Sequence, residues 1–97
     1  MKVSELSGEA LDWAVIHASR CSAYDPETDK PSTDWEQGGP IIEREGIAIY
    51  LYGDGEWQAV LEKEYEGPTP LIAAMRCYVA SKLGEEIEIP PELLEFI

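Results

Sequence analysis

Histidine is almost absent from this sequence, with His17 alone, and cysteine is confined to Cys21 and Cys77. A zinc site gathers three or four nitrogen or sulfur ligands at fixed spacing, and these residues have neither the number nor a CxxC pattern for it. Bases are scarce too: seven Lys and Arg stand against twenty Asp and Glu, for a net charge of −13. Affinity for phosphates comes from Lys and Arg displacing counterions, so direct binding to bare DNA or RNA is not expected, nor binding to an anionic membrane surface. No apolar stretch approaches the ~20 residues of a membrane span. Met1 to Leu6 lack the basic start and apolar run of a secretion signal. The cysteine usage fits a reduced, cytoplasmic protein, with a Cys21–Cys77 disulfide left open.

What is present suffices for one folded domain. The chain has 97 residues, 44% of them hydrophobic, which argues against disorder. There are no internal repeats, so neither a solenoid nor a coiled coil is expected. The carboxylates repel one another in the compact state, a cost that salt screens. The same charge attracts and steers a basic partner, although it also serves simply to keep a small protein soluble.

Periodicity predicts a mixed α+β fold. Leu11, Ala14, Val15 and Ala18 recur at helical spacing within a helix over about 7–21, with Ser7 as its N-cap. Residues 23–32 read as a loop. Pro40 marks the start of a short helix over about 40–45, closed by Gly46. A run over 47–52 is apolar on both alternating sets and reads as a central strand. Gly53-Asp54-Gly55 then signals a hairpin. The returning strand, about 56–65, alternates Trp57, Ala59, Leu61 and Tyr65 against Glu56, Gln58, Glu62, Glu64 and Glu66, with Val60 and Lys63 as the exceptions. Thr69-Pro70 opens a helix over about 70–83, which Gly84 ends. Residues 86–89 alternate and can add a third strand, and Pro90-Pro91 leads a last short helix over about 91–97. This order favours a small antiparallel sheet covered by helices on one side.

Two segments are specific together: Pro31-Ser32-Thr33-Asp34-Trp35 with Gly38-Gly39-Pro40-Ile41-Ile42-Glu43, and Gly67-Pro68-Thr69-Pro70-Leu71 running on through Lys82. With the opening Met1 to Leu6 and Ala10 to Val15, they resemble the small ninX-type proteins of tailed phages and prophages. The resemblance spans nearly the whole chain. It implies a phage-encoded accessory factor made in the cytoplasm of a bacterial host. It carries no accepted activity, cofactor or catalytic residue. Residues 23–30 depart from the aromatic-rich stretch usual in that family.

Candidate sites follow from the residues. Asp34-Trp35 offers an exposed loop anchor, but the preferred reading has Trp35 closing the core while Ser32, Thr33 or Asp34 caps the turn. Gly38-Gly39 lacks the Lys or Ser/Thr of a phosphate loop and is flanked by Glu36 and Glu43. His17 and Cys21, four apart on a helix, can face one another, yet nothing in the pattern activates either. Paired carboxylates mean little in a chain with fifteen Glu. The acids themselves are grouped: Asp54 to Glu66 holds five against one base, and Glu85 to Glu95 holds five against none. On one strand, Glu62, Glu64 and Glu66 would stand ~6.6–6.8 Å apart, a spacing that can imitate alternate phosphates. A charged edge that discourages strand pairing explains the same row and is preferred.

The leading expectation is a non-enzymatic protein that binds a basic surface on a host or phage protein. Asp34, Trp35, Glu56, Glu62, Glu64, Glu66, Glu85, Glu86 and Glu88 are its candidate contacts. A nucleic-acid mimic that blocks a host nuclease or defence complex is the alternative. A small enzyme using His17 or paired carboxylates comes third. No cofactor is expected, and homo-oligomerisation through Tyr50, Tyr52 and the apolar C-terminal residues is left open.

Overall fold

The computed structural model describes residues 1–19 and 24–94; of Glu92 and Leu94 only the backbone is described. After a 3-10 turn at Val3–Glu5 come helix α1 (Gly8–Ala18), helix α2 (Trp35–Glu45) and strands β1 (Ala48–Tyr52), β2 (Glu56–Val60) and β3 (Glu64–Gly67). Helix α3 (Pro70–Leu83) and a short α4 (Pro91–Leu94) complete the chain. The expected α+β fold is therefore present: a three-stranded antiparallel sheet, order β1-β2-β3, packed against helices.

Helix α3 is the centre of the molecule. Leu71, Ala73, Ala74, Met75, Cys77, Tyr78 and Val79 are buried on all sides of it, the pattern of a helix enclosed between layers rather than laid on a surface. One side packs across all three strands; the other receives α1 and α2. The α1 stripe of Leu11, Ala14, Val15 and Ala18 is buried as its spacing predicts. Burying a side chain such as Leu11 stabilises by about 1.5–3 kcal/mol. Thr69 accepts the Ile72 N–H at 3.1 Å and Pro70 begins α3, so the cap and the proline both work as read. Gly67 permits the close approach of β3 to α3, since a Cβ there would lie 2.7 Å from the Ala73 nitrogen.

Several expectations need correction. The first helix ends at Ala18, and Ser7 holds the N-cap position without a side-chain capping bond. The expected extension to residue 21 lies partly outside the described residues. Helix α2 starts at Trp35, five residues before Pro40, because Asp34 Oδ1 accepts the Glu36 N–H at 2.9 Å and caps it there. Pro40 sits inside, forfeiting one backbone bond. Gly46 closes α2 in the left-handed conformation as expected (φ 70°).

The predicted returning strand is two strands. The chain reverses at Leu61–Lys63, so residues 56–65 form the end of one hairpin and the start of another. No Gly, Pro, Asn or Asp marks this turn. It is fixed from outside, by Cys77, whose Sγ lies 2.9 Å from the Ala59 oxygen and 3.4 Å from that of Lys63, and by the Lys63–Glu85 ion pair. β2 is consequently the central strand and β1 an edge. Residues 86–89 add no strand. Glu86 makes a single bridge with Lys2, and Val3 N–H donates to the Glu85 oxygen at 2.8 Å, tying the N-terminus to the chain after α3. The last helix is described as far as Leu94, and the expected 95–97 lie outside the described residues.

Candidate partner-docking surface

Residues directly opposite one another in antiparallel strands share a face. Tyr52 and Glu56 form one row on the face turned away from α3; Tyr50, Gln58 and Glu66 form the next; Ala48, Val60 and Glu64 the third. Ile49, Ala59 and Tyr65, with Leu51, Trp57 and Gly67, make the opposite face, toward α3. The outer face thus sets exposed tyrosines on the β1 side and exposed carboxylates on the β3 side. Between them Gln58 is 8% exposed, taking the Tyr50 hydroxyl proton on Oε1 and donating from Nε2 to Glu64 at 2.8 Å.

Glu56, Glu64 and Glu66 line an open depression of about 670 Å³ together with Gln58 and Arg76. Arg76 offers its guanidinium to backbone oxygens, those of Leu6 at 2.8 Å and Glu66 at 2.5 Å, rather than to a carboxylate. Burial lowers its pKa. Among the described residues the three glutamates make no ion pair, and the depression is acid-lined. Glu62 does not join them. It lies in the Leu61–Lys63 turn, so the regular three-carboxylate row along one strand does not exist. Glu85 pairs with Lys63, and the bond to Glu85 raises the pKa of Lys63. Glu85 and Glu86 border a neighbouring hollow with Lys2, while Glu88 is exposed.

Trp35 is 54% exposed and does not close the core. It stands at the mouth of a cleft of about 280 Å³ made by Ser32, Thr33, Thr69 and Leu71. The two family-like segments meet here, through residues more than thirty positions apart in the chain. Their contact is close: Gly38 has no room for a Cβ, which would overlap Leu71 and stand 2.5 Å from the Pro31 oxygen. Asp34 is the cap that starts α2, its Oδ2 also accepting from Gln37 at 3.2 Å, so it positions Trp35 rather than presenting a free carboxylate. The floor is held from α1. Asp12, 4% exposed, accepts the Ser32 N–H at 2.8 Å, and its burial raises its pKa against the lowering effect of the Ser32 hydrogen bonds and Lys30. The acidic depression and the Trp35 cleft flank one linker, with Gly67 and Pro68 lining the first and Thr69 and Leu71 the second.

Nothing in the sequence signalled the role of Asp12 or Arg76, or the meeting of the two segments at one cleft, because each contact joins residues distant in the chain. His17 is exposed, its ring stacked on Trp13 at 4.5 Å, four residues back on α1. Its expected neighbour Cys21, and hence any Cys21–Cys77 pairing, lies outside the described residues. Cys77 is buried, with no disulfide partner among the described residues, and burial pushes its thiol up to about 11. Among the described residues no group of three or more His, Cys, Asp or Glu is placed to hold a metal ion, and no helix is long and apolar enough to cross a membrane.

No curated protein matches the chain. A family model described as "Bacteriophage P22, NinX" matches residues 20–82. That match covers more than half of the 97 residues and takes in both segments that meet at the Trp35 cleft. The chain belongs to the phage NinX family.

Proposed function

We propose that this chain is a phage accessory protein that works by binding another protein, of host or phage origin, in the bacterial cytoplasm, and not by catalysis. The observation that carries this reading is Trp35, half-exposed at the cleft where Pro31–Trp35 and Gly67–Leu71 converge. A tryptophan held on a rigid helix start beside an apolar hollow is the kind of anchor that dominates interface energetics. The unpaired carboxylates of Glu56, Glu64 and Glu66 lie across the same linker and supply a field that favours a basic partner. No direct contact with nucleic acid is part of this reading.

The test is affinity capture of the tagged chain from infected bacteria, run in parallel with Trp35→Ala and with Glu56, Glu64 and Glu66 together replaced by Gln. A stoichiometric partner whose recovery falls at least tenfold with Trp35→Ala, on the order of 1.4 kcal/mol or more, is expected. The absence of a stoichiometric partner at low salt, or equal recovery by the Trp35 variant, overturns the reading.

A second reading, an acidic decoy for a nucleic-acid groove, is supported by the open glutamate face and by an Arg76 engaged with backbone oxygens. It rests on Glu56, Glu64 and Glu66 without Glu62. Loss of binding with the triple Gln variant but not with Trp35→Ala distinguishes it from the first.

A further inference from the structure

A sheet of three strands has two edges, and the protein treats them differently. The β3 edge is blunted: Arg76 donates to the Glu66 oxygen, Lys63 is tied to Glu85 beside it, and β3 itself carries Glu64 and Glu66. Among the described residues the β1 edge has none of these devices. From Gly46 to Gly53 the chain reads Gly-Ile-Ala-Ile-Tyr-Leu-Tyr-Gly, eight residues with no charge, no proline and no lysine, in a chain where 28% of residues are charged. Its large side chains are exposed on both faces: Leu51, on the helix side, is 58% exposed, and Tyr50 and Tyr52 are exposed on the outer side. Bare edges of this kind are templates for another strand.

We infer that β1 is a homodimerisation edge, pairing antiparallel with β1 of a second copy to make a continuous six-stranded sheet. The charge pattern selects the occupant. Each copy carries −13, so two copies can approach only where neither presents a carboxylate, and this uncharged strand is such a place. A basic partner gains nothing from a strand without acids and is drawn to the β3 side instead. The strand is also self-complementary. A two-fold axis at Tyr50 sets Tyr50 opposite its counterpart, Ile49 opposite Leu51 on the helix side, and the small Ala48 opposite the large Tyr52 on the outer side. The assembled sheet would carry tyrosines along its middle and a glutamate band on each flank, the two β3 strands standing five strand spacings apart, roughly 24 Å.

A five-residue edge contact buries less than the ~1,200 Å² of a standard stable interface, so a dissociation constant of about 10 µM to 1 mM is expected. Because the copies repel, dimerisation should strengthen with salt, whereas attraction to a basic partner should weaken. Failure of this inference is thus separable from failure of the partner-binding reading. The experiment is sedimentation equilibrium of the full chain up to about 1 mM, in about 50 mM and about 500 mM NaCl, spanning Debye lengths from well above to well below 10 Å. Leu51→Lys serves as the disrupting variant, with amide hydrogen exchange of β1 in the unaltered protein as a second readout. The expected result is a dimer strengthened at high salt, weakened at least tenfold by Leu51→Lys, with β1 amide protection that rises with protein concentration. Monomer throughout, or a dimer that forms with β1 protection independent of concentration, overturns it. Should Leu51→Lys fail to fold, the exchange measurement alone decides.

Discussion

The carboxylate of Asp12, in the middle of α1, accepts the backbone N–H of Ser32 at 2.8 Å across twenty residues of chain. Through that bond α1 holds down the loop that carries Thr33, Asp34 and Trp35, so the docking cleft is anchored to the core by a buried acid. The bond ties the loop to α1 three residues before Trp35.

Two substitutions separate the charge of Asp12 from its hydrogen bond. Asp12→Ala leaves the Ser32 N–H buried and unpaired and should cost about 1–3 kcal/mol. Asp12→Asn keeps an acceptor and removes the charge. Burial holds the folded pKa of Asp12 above its ordinary 3.8. Its contribution to stability is therefore greatest below the unfolded value and is lost as pH rises through the folded one. Asp12→Asn should be at least as stable as the parent at neutral pH and should flatten the stability profile from about pH 4 upward. Urea unfolding over a pH series checks both.

Gly38→Ala should destabilise, by about 1–3 kcal/mol. The added methyl meets the Leu71 side chain and the Pro31 carbonyl, and the second of these is backbone that cannot rotate away. Thermal unfolding measures the loss. A neutral result would mean that α2 and α3 are not packed as closely as described.

Trp35→Ala and Leu11→Ala should behave oppositely in stability. Trp35 is half-exposed, so its loss should change unfolding free energy by no more than about 0.5 kcal/mol. Leu11 is fully buried, and its truncation should cost about 2–5 kcal/mol. Denaturant midpoints of the two variants decide between an anchor and a core tryptophan at position 35.

Cys77 should be chemically silent in the folded protein. Its thiol is buried, lies 2.9 Å from the Ala59 oxygen, and is pushed up to about 11, so little thiolate exists near neutral pH. In a Cys21→Ser background, reaction with a thiol reagent should follow unfolding, and the rate should rise with denaturant. Rapid native-state labelling would contradict the burial.

The sequence by itself determined the local pieces: the α1 stripe, the hairpin at Gly53-Asp54-Gly55, the Thr69-Pro70 helix start, the Gly46 cap and the acidic balance. Each of these depends on residues within a few positions of one another, where periodicity and backbone preference suffice. It also carried the two family-like segments, although not their meeting at one cleft. The tertiary structure decided the rest. The alternation breaks at Val60 and Lys63, the two ends of the reversal, but no turn residue marks it, and the contacts of Lys63 with Cys77 and Glu85 come from fourteen and twenty-two residues away. β1 reads as a central strand because both of its faces are apolar, but apolar faces do not require neighbours on both edges, and β2 took the centre once β3 folded back. Trp35 reads preferentially as a core residue, and the structure leaves it 54% exposed, since local sequence says nothing of which side of α2 meets Leu71. Gly38 packs directly on Leu71, and Trp35, one turn earlier at the first position of α2, lies at the margin of that contact, lining the cleft with about half of its surface in solvent.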